Sequence, residues 1–388
     1  MISLNNFYYV LYTLLFKPCK IHQGLFYPFG STSPENFSND PYDRLFEDIS
    51  VHRGNYVIMF NEEPFFSKYV FPCFHNEGYI GSFKLLANSE HSEHKKLYCK
   101  EYSFLDFYFF FHGFLSLYWY NDIKYFHNKT SFKDDFLCLM NIVDKDRSYR
   151  LYLASKLKEK NLIGKGTISL NLDKPNLIKN ELFSTNSKLS TYAKKHVLQN
   201  LTLEQKTIHA DTKNFRGELS AELDFQIYEM WQNSFFHIVP ETVFYYDKLH
   251  LTEKIFKPIV SRRPFILLAS PGNLKYIKGY GFKTFDRWID ESYDNEPDND
   301  KRINLAVQQL EYINRLSKFE KNKMFGEMQE TLDYNFNHFF NEFKKIIVEE
   351  LVNNFEGCIN QWNNGRFDDK LIDKSIINFD EVKRILSQ

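Results

Sequence analysis

The stretch HLTEKIFKPIVSRRPFILLASPG, residues 250–272, carries most of the information about the fold. Thr252 stands before an apolar-periodic segment and is a residue type that accepts a backbone N–H at a helix start. The apolar residues that would share one face of this helix are Ile255, Phe256, Ile259 and Val260. The run FILLASPG follows and is typical of a buried parallel strand. The stretch therefore predicts a helix that leads into a strand of an α/β sheet.

Polar residues stand at the start of this helix and at the end of the strand before it. Glu253 and Lys254 fall in the first helical turn, and the apolar run FFHIV ends in Pro240, Glu241 and Thr242. The N-terminus of a helix favours the binding of a phosphate group, and a lysine beside it adds a full positive charge. A carboxylate there can accept two ribose hydroxyl groups. Taken alone, however, such a glutamate or lysine is more often a solvated surface residue.

Other segments repeat the pattern of an apolar run followed by polar residues. GNYVIMF ends at Asn61, Glu62 and Glu63, and FLCLMNIV contains Asn141 near its end. A helix over DKDRSYRLYLASKLKEK and a strand over TISLNL then restart the α/β order after the polar joint HNKTSFKDD. We therefore predict three regions: an N-terminal domain over residues 1–130, a C-terminal domain over 131–350, and a tail over 351–388 that docks back on the first domain.

Composition sets broad limits on the class of protein. The 388 residues are 43% hydrophobic and carry a formal net charge of −1, so a large core is expected and no global positive field attracts polyanions. The five cysteines are scattered without metal-type spacing, which predicts reduced thiols in a cytoplasmic protein. The apolar run FYYVLYTLLF is too short to cross a bilayer and predicts a buried element, so we expect no transmembrane segment.

The segment VPETVFYYDKLHLTEKIFKPIVSRRPFILLASPG resembles the donor-binding segment of GT-B glycosyltransferases, above all the α-1,3-fucosyltransferase-like group. It is also similar to uncharacterised glycosyltransferases of phages and marine bacteria. The resemblance spans residues 54–290 and is closest over 235–272. It implies two Rossmann-like domains that face each other across a cleft, and transfer of a sugar from a UDP- or GDP-sugar to an acceptor hydroxyl. In such enzymes a helix dipole and basic side chains replace a metal at the leaving diphosphate, so neither a metal nor another cofactor is expected.

The resemblance also assigns roles on the donor side. FLCLMNIVDKDRSYRLYLASKL resembles the segment in which a strand ending in Asn precedes a phosphate-binding Arg, here Asn141 and Arg147. Arg147 and Lys254 would then hold the diphosphate, and Glu253 the ribose. Glu241 and Thr242 would line the pocket of the donor sugar, beside the helix start at Thr252. Both cations are expected to be exposed, so that replacing either would leave the fold intact.

On the acceptor side the resemblance implies a catalytic base and inversion at the transferred sugar. YVIMFNEEP matches a Gly-Glu-Asn motif at Glu62, while Asn61 replaces the glycine and Glu63 the asparagine, so either glutamate is a candidate. His112 and His250 are reserve candidates for the base.

The acceptor itself is open. Tyr118, Trp119 and Tyr120 would form a stacking platform for a glycan or a lipid-linked saccharide. A hydroxymethylated base in viral DNA is the alternative acceptor, and such an enzyme would work in the cytoplasm of a bacterium or an infected host cell. An alternative of another class is a non-catalytic nucleotide- or carbohydrate-binding module. The sequence leaves the oligomeric state open.

Overall fold

The computed structural model describes residues 12–16, 27–28, 56–61, 83–87, 105–109, 116–140, 143–170, 175–201, 225–246, 248–363 and 377–387. The chain forms two compact units. The first comprises Met1–Tyr118, Lys248–His250 and Glu342–Gln388, and the second comprises Trp119–Asp247 and Leu251–Asn341. In the described residues no helix is both long enough and apolar enough to cross a membrane.

The first unit contains a parallel sheet in which four described strands follow their order in the chain. The strands are β1 (Tyr27–Pro28), β2 (Tyr56–Asn61), β3 (Phe83–Ala87) and β4 (Leu105–Phe109). In register, Tyr56 pairs with Phe83, and Phe83 with Leu105. The strand predicted over GNYVIMF is therefore confirmed, and Asn61 is its last residue.

The second unit contains another parallel sheet, in the order β6-β5-β7-β8. Its strands are β5 (Asp134–Met140), β6 (Gly166–Leu170), β7 (Ser234–Pro240) and β8 (Phe265–Leu268). Every residue of β7 and β8 is buried, as the apolar runs predicted. The α/β prediction is thus confirmed for both described sheets.

The described helices lie between and after these strands. They are α1 (Ser116–Trp119), α2 (Tyr149–Glu159), α3 (Pro175–Phe183), α4 (Thr191–Asn200), α5 (Phe225–Gln232), α6 (Phe256–Val260), α7 (Asn273–Gly279), α8 (Asn299–Arg315), α9 (Lys318–His338), α10 (Lys344–Asn363) and α11 (Phe379–Ser387). Short π-helical turns occupy Tyr12–Phe16 and Phe339–Phe343. The end predicted for the C-terminal domain, at residue 350, falls inside α10, and the predicted start at 131 lies just before β5. The acceptor and donor roles of the domains stay predictions.

The helix predicted in residues 250–272 is present and packs as its periodicity indicates. It begins with a 3-10 turn, Glu253–Ile255, and continues as α6. All four residues of its predicted apolar face are at most 2% exposed. The apolar stripe therefore anchors the polar helix start against the sheet.

A buried histidine supports β7, one of the two inner strands of the second sheet. His237 of β7 bonds the carbonyl oxygen of Trp231 through Nε2 at 2.8 Å. A carbonyl oxygen only accepts, so Nε2 carries the proton. Burial lowers the pKa of His237 to about 3, and the ring is therefore neutral and structural at physiological pH.

Arg263, in the turn before β8, ties three segments of the second unit together. Its guanidinium is fully buried and donates to the carbonyl oxygens of Gln232 at 3.0 Å, Lys129 at 2.8 Å and Arg262 at 2.9 Å. Burial lowers the pKa of Arg263 to about 10, so it stays charged at neutral pH. The Arg-Arg-Pro turn is thus an internal brace of the fold.

We predict that Arg263→Met lowers the free energy of unfolding by about 3–5 kcal/mol, because each buried acceptor left without a donor costs about 1–3 kcal/mol. Chemical denaturation followed by circular dichroism measures this. Arg315→Met is the matched control, since Arg315 ends α8 with its side chain 77% exposed, and a surface change of this kind stays within about 0.5 kcal/mol. Equal stability of the two variants would show that the buried brace contributes nothing.

Candidate functional site

The strand order of the second sheet creates one place suited to a ligand. From β5 the chain moves to β6 on one side, and it later adds β7 on the other side of β5. The carboxyl ends of β5 and β7 therefore flank a topological switch point, where open parallel sheets bind their ligands. Residues 146–150, in the turn after β5 and the start of α2, and the residues from Pro240 onward meet at this edge.

Glu241, the first residue after β7, is a fully buried carboxylate. It accepts the Thr252 hydroxyl at 2.7 Å, the Thr252 backbone N–H at 3.2 Å and the Thr242 backbone N–H at 3.3 Å. Burial raises the pKa of Glu241, as does the neighbouring Glu253, while Lys254 and the bonds from Thr252 act in the opposite direction. Hydrogen-bond donors at both carboxylate oxygens favour the ionised form of Glu241.

Thr252 links this carboxylate to Lys254. Its hydroxyl oxygen accepts the Lys254 backbone N–H at 3.3 Å and the Lys254 ammonium at 3.0 Å, which confirms the predicted N-cap. Both of these groups only donate, so the hydroxyl proton must be the one given to Glu241. The ammonium also donates to Thr242 at 3.3 Å and to Glu253 at 3.1 Å.

The structure corrects the expected exposure of the two cations. The side chain of Lys254 is only 24% exposed and that of Arg147 only 14%. Neighbouring carboxylates hold both: Glu253, itself buried, pairs with Lys254, and Asp144 pairs with Arg147. Replacing either cation will therefore leave a carboxylate without its partner, and the fold has to be checked in such variants.

Arg147 lies in the 3-10 turn Lys145–Arg147 that follows β5. Asp144 caps this turn by accepting the Arg147 backbone N–H at 2.9 Å, and its other oxygen pairs with the Arg147 guanidinium. A single aspartate thus fixes both the main chain and the side chain of Arg147. Asn141, the predicted strand-end partner of Arg147, lies outside the described residues.

Two residues that the sequence did not single out join the turn after β5 to the segment after β7. Tyr149 donates its hydroxyl to the Glu241 carbonyl oxygen at 2.5 Å and stacks on Phe244 with ring centroids 4.0 Å apart. Arg150 donates to the Pro240 carbonyl oxygen at 2.9 Å. Their position two and three residues after Arg147 was the only signal in the sequence, and the pattern around Tyr149 and Arg150 is that of an ordinary helix.

The structure bears on one residue of the predicted stacking platform, Tyr120. Tyr118 and Trp119 are half-buried, whereas Tyr120 is fully buried against Trp231, with ring centroids 5.7 Å apart. Tyr120 also donates to the Glu253 carbonyl oxygen at 3.3 Å. The prediction for Tyr120 is therefore wrong, because this ring belongs to the core behind the helix start.

The remaining predicted residues give no geometry for the acceptor side. Glu62, Glu63 and His112 lie outside the described residues. His250, the reserve base, is 1% exposed.

Two Asp-x-Asp spacings, the motif typical of metal-dependent GT-A glycosyltransferases, occur in the sequence at Asp144–Asp146 and Asp298–Asp300. Asp144 pairs with Arg147 and Asp298 caps α8. Within the part of the chain that the structure describes, no three His, Cys, Asp or Glu side chains converge as a metal site would require. The predicted independence from metal stays a prediction.

Comparison of the chain with models of protein families, with curated proteins and with solved structures finds no match.

We predict that Thr252→Val lowers the free energy of unfolding by about 1–3 kcal/mol, because the helix loses its cap and Glu241 loses its hydroxyl donor. Thr252→Ser keeps the hydroxyl and should stay close to the parent protein. Thermal and urea unfolding provide the measurement.

Thr191→Val is the matched control, since Thr191 is an exposed residue at the start of α4. If Thr252→Val and Thr191→Val are equally stable, the Thr252 hydroxyl does not hold the site together.

Proposed function

We propose that this protein is a nucleotide-sugar-dependent glycosyltransferase of the GT-B type, which moves a sugar to an acceptor hydroxyl with inversion and without a metal. The observation that carries the proposal is the Glu241–Thr252–Lys254 cluster at the switch point of a parallel sheet, beside the turn that holds Arg147. The arrangement of two Rossmann-like domains across a cleft belongs to this proposal. The two parallel sheets, one in each compact unit, support it.

The donor diphosphate is the part of the substrate for which these residues are best suited. A lysine and an arginine on neighbouring loops can share the charge of two phosphate groups, and Arg147 can do so with two parallel hydrogen bonds. Both side chains are held by carboxylates and retain partial exposure. Such pre-ordered cations stabilise the charge that develops on a leaving diphosphate without needing to reorganise during the reaction.

The chemical step then has a simple form. A base removes the proton of the acceptor hydroxyl as its oxygen attacks the anomeric carbon of the donor sugar. The bond from that carbon to the diphosphate oxygen breaks, and Arg147 and Lys254 stabilise the departing charge. Glu62 or Glu63, directly after β2, is proposed as the base, and Glu241 with Thr242 is proposed to shape the site of the donor sugar.

We expect Lys254→Ala and Arg147→Ala to weaken binding of UDP or GDP by about 10- to 150-fold, the effect of losing one charge-assisted hydrogen bond. Titration calorimetry in EDTA measures the affinity, and circular dichroism verifies that each variant is folded. Lys195→Ala is the control, since Lys195 is exposed on α4. Folded variants that bind as tightly as the Lys195→Ala protein would remove both cations from the donor site.

Glu62→Gln is expected to keep donor affinity and to lower turnover by about 10²–10⁴-fold, as removal of a general base does. Glu63→Gln should cost far less, because Glu62 is the residue that matches the glutamate of the Gly-Glu-Asn motif. Release of the nucleoside diphosphate from the sugar donor is the assay, with EDTA present. Donor binding without turnover in the parent protein would instead identify a non-catalytic binding module.

A further inference from the structure

A third charged cluster at the switch point has no role in the mechanism above. It consists of Asp146, Lys188 and Tyr246, and we call it the Asp146 cluster. Oxygen Oδ1 of Asp146 accepts the Tyr246 hydroxyl at 2.7 Å and also pairs with the Lys188 ammonium. The same ammonium lies 3.6 Å from the centroid of the Tyr246 ring, a cation–π contact.

The three members come from three different segments. Asp146 stands beside Arg147 in the turn after β5, Tyr246 lies in the segment after β7, and Lys188 lies between α3 and α4. Three segments thus position one carboxylate at the edge of the sheet where the donor is proposed to bind. Exposed ion pairs contribute little to stability. Stabilisation of the fold alone therefore does not explain why three segments hold this carboxylate.

The second oxygen of Asp146 is what suggests a ligand. Oδ2 has no hydrogen-bond partner among the described residues, and the side chain is 21% exposed. Three other carboxylates of the site are engaged or inaccessible. Both oxygens of Asp144 bond Arg147, Glu253 is 8% exposed and pairs with Lys254, and Glu241 is fully buried.

An ionised carboxylate oxygen only accepts hydrogen bonds, so the group that it binds must donate. A phosphate is unsuitable because it would bring like charge against Asp146. In a nucleotide-sugar, a sugar adjoins the diphosphate on each side, whereas the base is one sugar further away. A carboxylate next to the residue that holds the diphosphate therefore reaches a sugar hydroxyl first.

We propose that Asp146 recognises a sugar hydroxyl group of the donor through Oδ2, and that Lys188 and Tyr246 are positioning residues that hold its carboxylate. This inference rests on the proposed function, because it takes a nucleotide-sugar to be the ligand. It assigns the recognition of hydroxyl groups to a residue other than Glu253. The hydroxyl belongs either to the ribose or to the transferred sugar.

The test is a cycle of protein and ligand changes, read by calorimetry in EDTA. Asp146→Asn keeps the size of the side chain and removes its charge. It should weaken binding of the hydroxylated ligand by about 10- to 150-fold, the range for a hydrogen bond to a charged group. Removing the hydroxyl from the ligand should weaken its binding to the parent protein by the same factor. It should not weaken binding to the Asp146→Asn protein any further.

The ligands identify which sugar carries the hydroxyl. If it is on the ribose, UDP or GDP shows the full effect, and the 2′- or 3′-deoxy nucleotide abolishes it. If the hydroxyl is on the transferred sugar, free UDP or GDP binds the parent protein and Asp146→Asn equally. The loss of affinity then appears only with the UDP- or GDP-sugar, and it disappears when the deoxy-sugar form is used. Either pattern supports the proposal.

Two control variants separate recognition from structure. Asp286→Asn alters a 66% exposed aspartate that pairs with Lys278, and it should bind every ligand like the parent protein. Glu253→Gln tests the other candidate carboxylate in the same cycle. Circular dichroism shows whether each variant is folded, and Asp146→Glu, which restores the charge, should recover part of the affinity.

Several results would overturn the inference. One is equal binding by Asp146→Asn and the parent protein for every ligand. Another is a loss of the same size for hydroxylated and deoxy ligands, which indicates a structural role. A loss that appears only when Mn²⁺ or Mg²⁺ is added would make Asp146 a metal ligand instead.

The outcomes also separate this inference from the proposed function. If the parent protein binds no nucleoside diphosphate or nucleotide-sugar, both fail. If it binds them, and Lys254→Ala weakens that binding while Asp146→Asn does not, only the role of Asp146 is refuted.

Discussion

The structure at the ligand edge of the second sheet depends on the hydrogen bonds that satisfy one buried carboxylate. Glu241 is fully buried, and an unpaired charge in such a place would cost several kcal/mol. Thr252 supplies two of its three hydrogen bonds and at the same time caps the helix start, which brings Lys254 beside it. The local geometry of residues 252–254 and the buried charge therefore require each other: without the cap the carboxylate is unsatisfied, and without the carboxylate the hydroxyl loses its acceptor.

The segment after β7 is irregular, and side chains from α2 and α8 fix its course. Three side chains donate hydrogen bonds to carbonyl oxygens along this segment: Arg150 to that of Pro240, Tyr149 to that of Glu241, and Arg302 to that of Phe244. Carbonyl groups at the end of a strand lack a ladder partner, so buried ones need such donors. The result is a loop that is held in place without regular structure, the condition under which a site can be ordered before its ligand binds.

The sequence predicted those features that depend on neighbours in the chain. The Thr252 cap and the apolar face of α6 follow from spacing alone, and so do the buried runs of β7 and β8. The features that it missed join distant residues: Tyr149 and Glu241 are 92 positions apart, and Asp146 and Tyr246 are 100 apart. Lys188 was missed because its region shows no clear periodicity. The exposure predicted for Arg147 and Lys254 was wrong although the carboxylates that pair with them are chain neighbours, because spacing does not show which way a side chain turns. The amino-acid sequence does not show which neighbouring group a carboxylate side chain faces.

The pairing of charges at the switch point has a consequence for any anionic ligand. Arg147 pairs with Asp144, Lys188 with Asp146, and Lys254 with Glu253, so each of these three cations is matched by a carboxylate. Matched charges are cheaper to hold half-buried than single ones, and a side chain already fixed in one rotamer loses less entropy on binding. The attraction for a distant polyanion is correspondingly weak, which agrees with a net charge of −1. A ligand with phosphate groups would therefore gain affinity from close, directed hydrogen bonds to Arg147 and Lys254 rather than from a long-range field, and such bonds depend on the shape of the ligand.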